Sequence, residues 1–132
     1  MSTKNITNEI ISAFIDELYY NENEQLQELR EFAEANRVPI ICKDTEGLLA
    51  AIMKLKKPER VLEIGTAVGY SASFFADCCG CHVTTIEFDE DAYDSAVNNI
   101  DAIGFSERIR VIKGDAARVL ADMQEDNPGA FD

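Results

Sequence analysis

Two acids and two glycines hold the most telling spacing in this sequence. Glu63 stands two residues before Gly65, three residues separate Gly65 from Gly69, and Ser71 follows two residues on. Glycine lets a turn adopt backbone angles that other residues avoid. It also lets N–H groups approach a polar ligand without a Cβ in the way. Glu87 closes the next β-branched run, and Gly114-Asp115-Ala116 closes the one after it. An acid at a strand end can accept hydrogen bonds from both hydroxyls of a ribose, and small residues at the following strand end leave room for a base. The chemistry these residues suit is recognition of a nucleoside.

The elements that must position them follow from the pattern. Residues 60–64 predict a short buried strand, 70–79 a helix ended by Gly80, and 82–88 a second strand. Residues 89–103 predict a helix opened by Asp89 or Glu90 and stopped by Gly104, 109–113 a third strand, and 116–124 a helix. Strands alternating with helices predict a parallel α/β sheet with right-handed crossovers. Ligands bind such sheets outside the carboxyl ends of the strands, where all these candidates fall.

Ahead of the sheet the spacing is helical. Residues 5–20 carry Ile6, Ile10, Phe14 and Leu18 in one stripe, and 21–36 carry Leu26, Leu29, Phe32 and Ala33. Val38-Pro39-Ile40-Ile41 must be extended, because proline biases its predecessor away from helix. Asp44 is expected to cap a helix over 44–56 that turns Leu48, Leu49, Ile52 and Leu55 inward, with Lys57-Pro58 as its stop. Asn127-Pro128-Gly129 predicts a turn, and Phe131-Asp132 the start of another strand. The whole reads as one domain over 1–132, with a helical region at 1–57 and a ligand-binding β/α region at 58–132.

Composition removes several function classes. The 132 residues include 25 acids and 12 bases, for a net charge of −13. Non-specific binding to nucleic acid or anionic lipid needs the opposite sign. No apolar run approaches the roughly 18 residues of a membrane span, and the first residues lack an apolar signal region, so a soluble cytoplasmic protein is expected. Cys78 and Cys81 have metal-like spacing within Cys-Cys-Gly-Cys, but a structural zinc takes about four ligands and only His82 is near. With Cys42, they read as reduced thiols. His82 opens a strand with no visible partner.

Plainer readings stand beside the functional ones. Gly65 and Gly69 could only shape a turn, Glu87 could be a solvated strand-end acid, Asp115 could cap the following helix, and Ser71 could pack or cap. A dinucleotide fingerprint needs a middle glycine for the pyrophosphate, and here Ala67 follows Thr66 in that turn; no lysine completes a P-loop. The pattern therefore suits S-adenosylmethionine better than NAD.

Residues 28–132 resemble the N-terminal part of a class I S-adenosylmethionine-dependent O-methyltransferase of the catechol and caffeoyl-CoA type. The likeness is nearest to bacterial members, some of which methylate a hydroxylated uridine in tRNA. It rests on Val38-Pro39-Ile40-Ile41, on the run from Arg60 to Ser71 (Arg-Val-Leu-Glu-Ile-Gly-Thr-Ala-Val-Gly-Tyr-Ser), and on Thr85-Ile86-Glu87, Ala96-Val97-Asn98-Asn99-Ile100 and Gly114-Asp115-Ala116. The resemblance implies the N-terminal half of a Rossmann-like methyltransferase fold, with N-terminal helices followed by three parallel strands alternating with helices. It implies that Ile41 closes the methionine end of the cofactor pocket, that Glu63 faces the methionine amino group, and that Gly65 gives backbone access. Ser71 would bond the methionine carboxylate, Glu87 the ribose, and the Ala116 N–H the adenine, with Asp115 beside it.

The resemblance further implies a divalent metal such as magnesium, whose ligands in the family come from segments beyond Asp132. On that ground the chain reads as truncated and inactive alone, or as a non-catalytic adenosyl-binding or self-associating half-domain. The acceptor would be a hydroxyl on a small phenolic molecule or on a tRNA uridine, although the charge does not favour RNA. A bare edge on the strand at 60–64 predicts a homo-oligomer.

Overall fold

The computed structural model describes residues 8–126 and 129–132. Three helices come first: α1 (Glu9–Leu18), α2 (Glu24–Ala35) and α3 (Lys43–Lys56). Strand and helix then alternate as β1 (Arg60–Ile64), α4 (Tyr70–Cys79), β2 (His82–Glu87), α5 (Glu90–Ile103), β3 (Ile109–Lys113) and α6 (Ala116–Asp126). The sheet order is β1-β2-β3 and both pairings are parallel. This is the α/β arrangement expected from the alternation.

Period-2 alternation sorts the strand residues onto two faces. Val83 and Ile109, with Val61 and Val111 beside them, pack against Ala72 and Ala76 of α4 and Ala96 and Ile100 of α5. Leu62 has the opposite parity and shares a cavity with Leu120 and Met123 of α6. Helices thus cover both faces. A second cluster joins Leu26, Leu29 and Ala33 of α2 to Val68, Tyr70 and Phe74 around the start of α4. It docks the N-terminal helices directly onto the glycine turn.

Caps fix the element starts. The side chains of Asn8, Asn23 and Asp89 each accept from N–H groups in the first turn of α1, α2 and α5. Gly80 and Gly104 end α4 and α5 in the left-handed region. Helix α3 differs from expectation. Its N-cap is Cys42, without a side-chain bond, and Asp44 lies inside the first turn. Its buried face also differs in part: Glu46 and Met53 are buried and Leu49 packs against the core as expected, whereas Leu48, Ile52 and Leu55 are exposed. Phe32 of α2 and Ile10, Ile11, Phe14 and Leu18 of α1 are likewise exposed. Helical spacing identifies a stripe but does not say what covers it. The predicted beginning of α1 and most of the 127–129 turn lie outside the described residues. Asp132 approaches the outer side of β1, where its N–H donates to the Arg60 carbonyl at 3.0 Å.

Candidate functional site

The turn between β1 and α4 is held from three sides. The Gly65 N–H donates to the Ile86 carbonyl, and the Gly69 N–H to the Thr66 carbonyl, each at 2.9 Å. From α5, Asn99 Nδ2 donates to the Val68 carbonyl at 3.0 Å. Gly65 has φ +89° and Gly69 φ +82°, where other residues are strained. A Cβ at Gly69 would lie 3.1 Å from Ile100 Cγ1, so this glycine is needed for packing against α5. A Cβ at Gly65 would meet no atom within 4 Å. Gly65 instead borders a cavity of about 480 Å³, together with Ile41, Glu63, Ala67, Ser71 and Phe75. That volume falls in the range of small-molecule sites.

Glu63 is the acid of this cavity. It is paired in register with Thr85, and that neighbour's Oγ1 donates to Glu63 Oε1 at 2.7 Å. The Ser71 hydroxyl donates to Glu63 Oε2 at 2.5 Å. Thr85 has given its only proton to Glu63, so the Thr66 hydroxyl must donate in the 2.7 Å contact between the two threonines. Burial raises the Glu63 pKa above the usual carboxylate range. The hydroxyls of Ser71 and Thr85 pull it back in part, and the Glu87 charge adds to the rise. A cation placed beside Glu63 would reverse that rise.

Glu87 stands one strand over, outside the cavity lining. Its Oε2 accepts from the N–H of Thr66 (3.0 Å) and Ala67 (2.9 Å), and its Oε1 from those of Phe88 and Asp89 (2.9 Å each). Burial pushes its pKa up, but the four N–H bonds outweigh it and hold the carboxyl below its ordinary value. Ala67 sits at φ +50°, an uncommon angle for alanine, and its bond to Glu87 helps keep it there. Glu87 is therefore no idle strand-end acid, since it shapes the turn.

The third strand end lies beside the second, because the Gly114 N–H donates to the Glu87 carbonyl at 2.8 Å. Asp115 accepts from the Arg118 N–H at 3.1 Å and so caps α6, as its plainer reading allowed. Ala116 opens that helix. The sheet thus brings Ile41, Glu63, Gly65 and Ser71 around one cavity and sets Glu87, Asp115 and Ala116 along the neighbouring strand ends.

Thr66, Thr85 and Asn99 hold the candidate residues and the turn in place, a part the sequence reading did not give them. The pairing of Thr85 with Glu63 follows from the β1–β2 register, which no local pattern in the sequence signals. The four cysteines are free. Burial, followed by Cys79, pushes the Cys81 thiol up to about 12, and burial also raises Cys78, so neither is a poised nucleophile. Among the described residues no group of three or more His, Cys, Asp and Glu could hold a metal ion, and no helix is long and apolar enough to cross a membrane.

Comparison with known proteins gives consistent matches. A family model described as O-methyltransferase matches residues 16–132. A catechol O-methyltransferase of Niastella koreensis is 28% identical over 120 residues, covering 89% of this chain and 54% of that protein. A solved structure from Staphylococcus aureus, whose assignment as a caffeoyl-CoA O-methyltransferase is provisional, has a TM-score of 0.80 at 33% identity and covers 88% of this chain and 56% of that one. An O-methyltransferase from Bacillus cereus, solved in complex with SAH, shares the fold with a TM-score of 0.78 at 24% identity, over 93% and 58% of the two chains. The chain spans about half the length of the curated relatives it matches.

Proposed function

The chain belongs to the O-methyltransferase family, and we propose that its described residues form the cofactor-binding part of an enzyme that methylates a hydroxyl oxygen. Bound S-adenosylmethionine would supply a methyl group on a positively charged sulfur. The observation that carries this reading is the half-buried Glu63 carboxylate beside the open face of Gly65 in a single cavity. A half-buried acid with raised pKa, bordered by hydroxyls, is suited to the ammonium of an amino acid. Gly65 leaves room for that ligand's backbone to approach.

The remaining roles follow from position. Ile41 closes the amino-acid end of the cavity. Ser71, now donating to Glu63, is placed to donate to the ligand carboxylate instead. Glu87 accepts from the ribose, sharing an acceptor that already orders the turn. The Ala116 N–H, at the start of α6, meets the adenine, with Asp115 beside it holding that helix end.

The acceptor is a phenolic hydroxyl, a reading supported by relatives whose descriptions name catechol and caffeoyl-CoA. A hydroxylated tRNA uridine is less suited to a chain of charge −13. The described residues do not fit the magnesium site that the resemblance implies, so no step is routed through a metal. We expect this chain alone to bind cofactor without turnover, and to self-associate through the β1 edge and the exposed apolar residues of α1 and α3. Calorimetry with S-adenosylhomocysteine tests the reading. Saturable binding that Glu63→Gln weakens supports it. Absent binding to the folded chain, or tighter binding of NAD, overturns it. Methyl transfer to catechols by the 132-residue chain would overturn the expected inactivity.

A further inference from the structure

We propose that Arg30 is a positioning residue for this cavity, holding the Ile41 carbonyl and the Tyr70 ring so that the wall around the ligand's amino-acid end is fixed. Arg30 lies on α2 and is 2% exposed. Its Nη2 donates to the Ile41 carbonyl at 3.0 Å and to the Glu46 carboxylate. Its Nε donates to the Tyr70 hydroxyl at 3.1 Å, and the guanidinium carbon lies 4.6 Å from the centre of the Tyr70 ring. Nη1 reaches Glu34 at 2.9 Å. Glu46 is fully buried, and its other oxygen accepts from the Tyr19 hydroxyl at 2.7 Å.

One side chain thus joins four elements: α2, the extended segment before α3, α3 itself and the first residue of α4. Ile41 and Tyr70 both border the cavity, and Ser71 is the next residue after Tyr70. A buried ion pair is by itself a weak source of stability, and an apolar pair could fill the same space. A hydrocarbon could not hold a carbonyl, a carboxylate and a hydroxyl in one fixed fork, which is what arginine's planar donors do. The segment around Pro39 is in no sheet ladder, so its placement depends on such a contact. The hydrogen bonds of Arg30 go to Glu34, Ile41, Glu46 and Tyr70, and none goes to Glu87 or Ala116 at the other end of the site.

The inference rests on reading the cavity as an S-adenosylmethionine site, and the test separates the two. Calorimetry compares S-adenosylhomocysteine with 5′-methylthioadenosine, which keeps ribose and adenine but lacks the amino-acid end. Arg30→Lys keeps the charge beside Glu46 and loses the fork, so S-adenosylhomocysteine should bind about tenfold more weakly. Methylthioadenosine should stay within about twofold, because its contacts lie at the far strand ends. Equal weakening of both ligands, or no change in either, overturns the role of Arg30 while leaving the cofactor reading in place. If Arg30→Lys fails to fold by circular dichroism, Tyr70→Phe keeps the ring and removes one partner of Arg30. It should weaken S-adenosylhomocysteine about threefold and spare methylthioadenosine, as expected for one lost hydrogen bond; equal effects or none overturn the proposal. A wild-type chain that binds neither ligand overturns the cofactor reading and this inference with it.

Discussion

Replacing Glu87 by glutamine changes the shape of the side chain very little, yet it should destabilise the fold measurably. The carboxylate accepts four backbone N–H bonds, two on each oxygen. A glutamine can keep its carbonyl against only one pair. Its NH₂ then faces the other pair, donor against donor. Bonds to a charged acceptor are worth about 1.5–3 kcal/mol each, and water reaching this half-exposed site reduces the loss to about 1 kcal/mol for each orphaned N–H. The retained pair loses its charge assistance, about another 1 kcal/mol together. The sum is about 3 kcal/mol, a large share of the roughly 5–15 kcal/mol that holds a domain folded. Urea denaturation at pH 7, followed by circular dichroism, reads it directly. Glu87→Ala should be no worse than the glutamine, since water can enter the gap and serve all four amides. The pH dependence has a definite sign. The folded pKa lies below the ordinary value, so the contribution is full above about pH 4.3 and is lost as pH falls through the lower folded value. The gap between wild type and Glu87→Gln should therefore be constant from pH 7 to about 5 and close below that. A glutamine variant within about 0.5 kcal/mol of wild type at pH 7 would refute the reasoning.

Three further outcomes follow from the same geometry. Glu63 has a raised folded pKa, so its ionised form opposes folding; Glu63→Gln should raise the midpoint of thermal unfolding at pH 7 and weaken S-adenosylhomocysteine, with the stability gain fading as pH falls toward about 4.3, and a destabilised glutamine variant at pH 7 would contradict this. Gly69→Ala combines strain with a 3.1 Å contact to Ile100, so it should lower stability more than Gly65→Ala, which bears only the roughly 1–3 kcal/mol of strain but should impair ligand binding more; calorimetry and urea curves on both variants check the order. Glu46→Ala leaves the Arg30 charge buried beside a lost partner and should cost about 3–5 kcal/mol by urea denaturation, whereas removal of its exposed partner in Glu34→Ala should cost under about 1 kcal/mol.

Local chemistry made the β/α half legible. Strand β1, helix α4 and strand β3 have the bounds expected from buried runs, Gly80 and the change of period, and Asp89 caps α5 as its position suggested. The common placement of the candidate residues was legible because parallel strands bring their carboxyl ends together, whatever the sequence distance. What could not be read was the pairing of faces. The α3 pattern offered Leu48, Leu49, Ile52 and Leu55 as core; Leu49 does pack there, but the other three are exposed and the fold buries Glu46 and Met53. That choice depends on Arg30 arriving from α2 and Tyr19 from the end of α1, which no periodicity encodes. A buried charged pair looks like two surface residues until its partners are seen. The Thr85–Glu63 bond was hidden for a similar reason, since it needs the β1–β2 register.

The central claim is that the strand ends of this sheet receive an adenosyl cofactor with its amino-acid end in the Glu63 cavity. Titration of the ¹⁵N-labelled chain with S-adenosylhomocysteine tests it residue by residue. The account predicts saturable shifts of the Gly65, Thr66, Ala67 and Ser71 amides together with those of Phe88 and Ala116, while methylthioadenosine moves the last two and leaves Ser71 nearly still. Shifts confined to other surfaces, or none at saturating ligand in a folded chain, would contradict it.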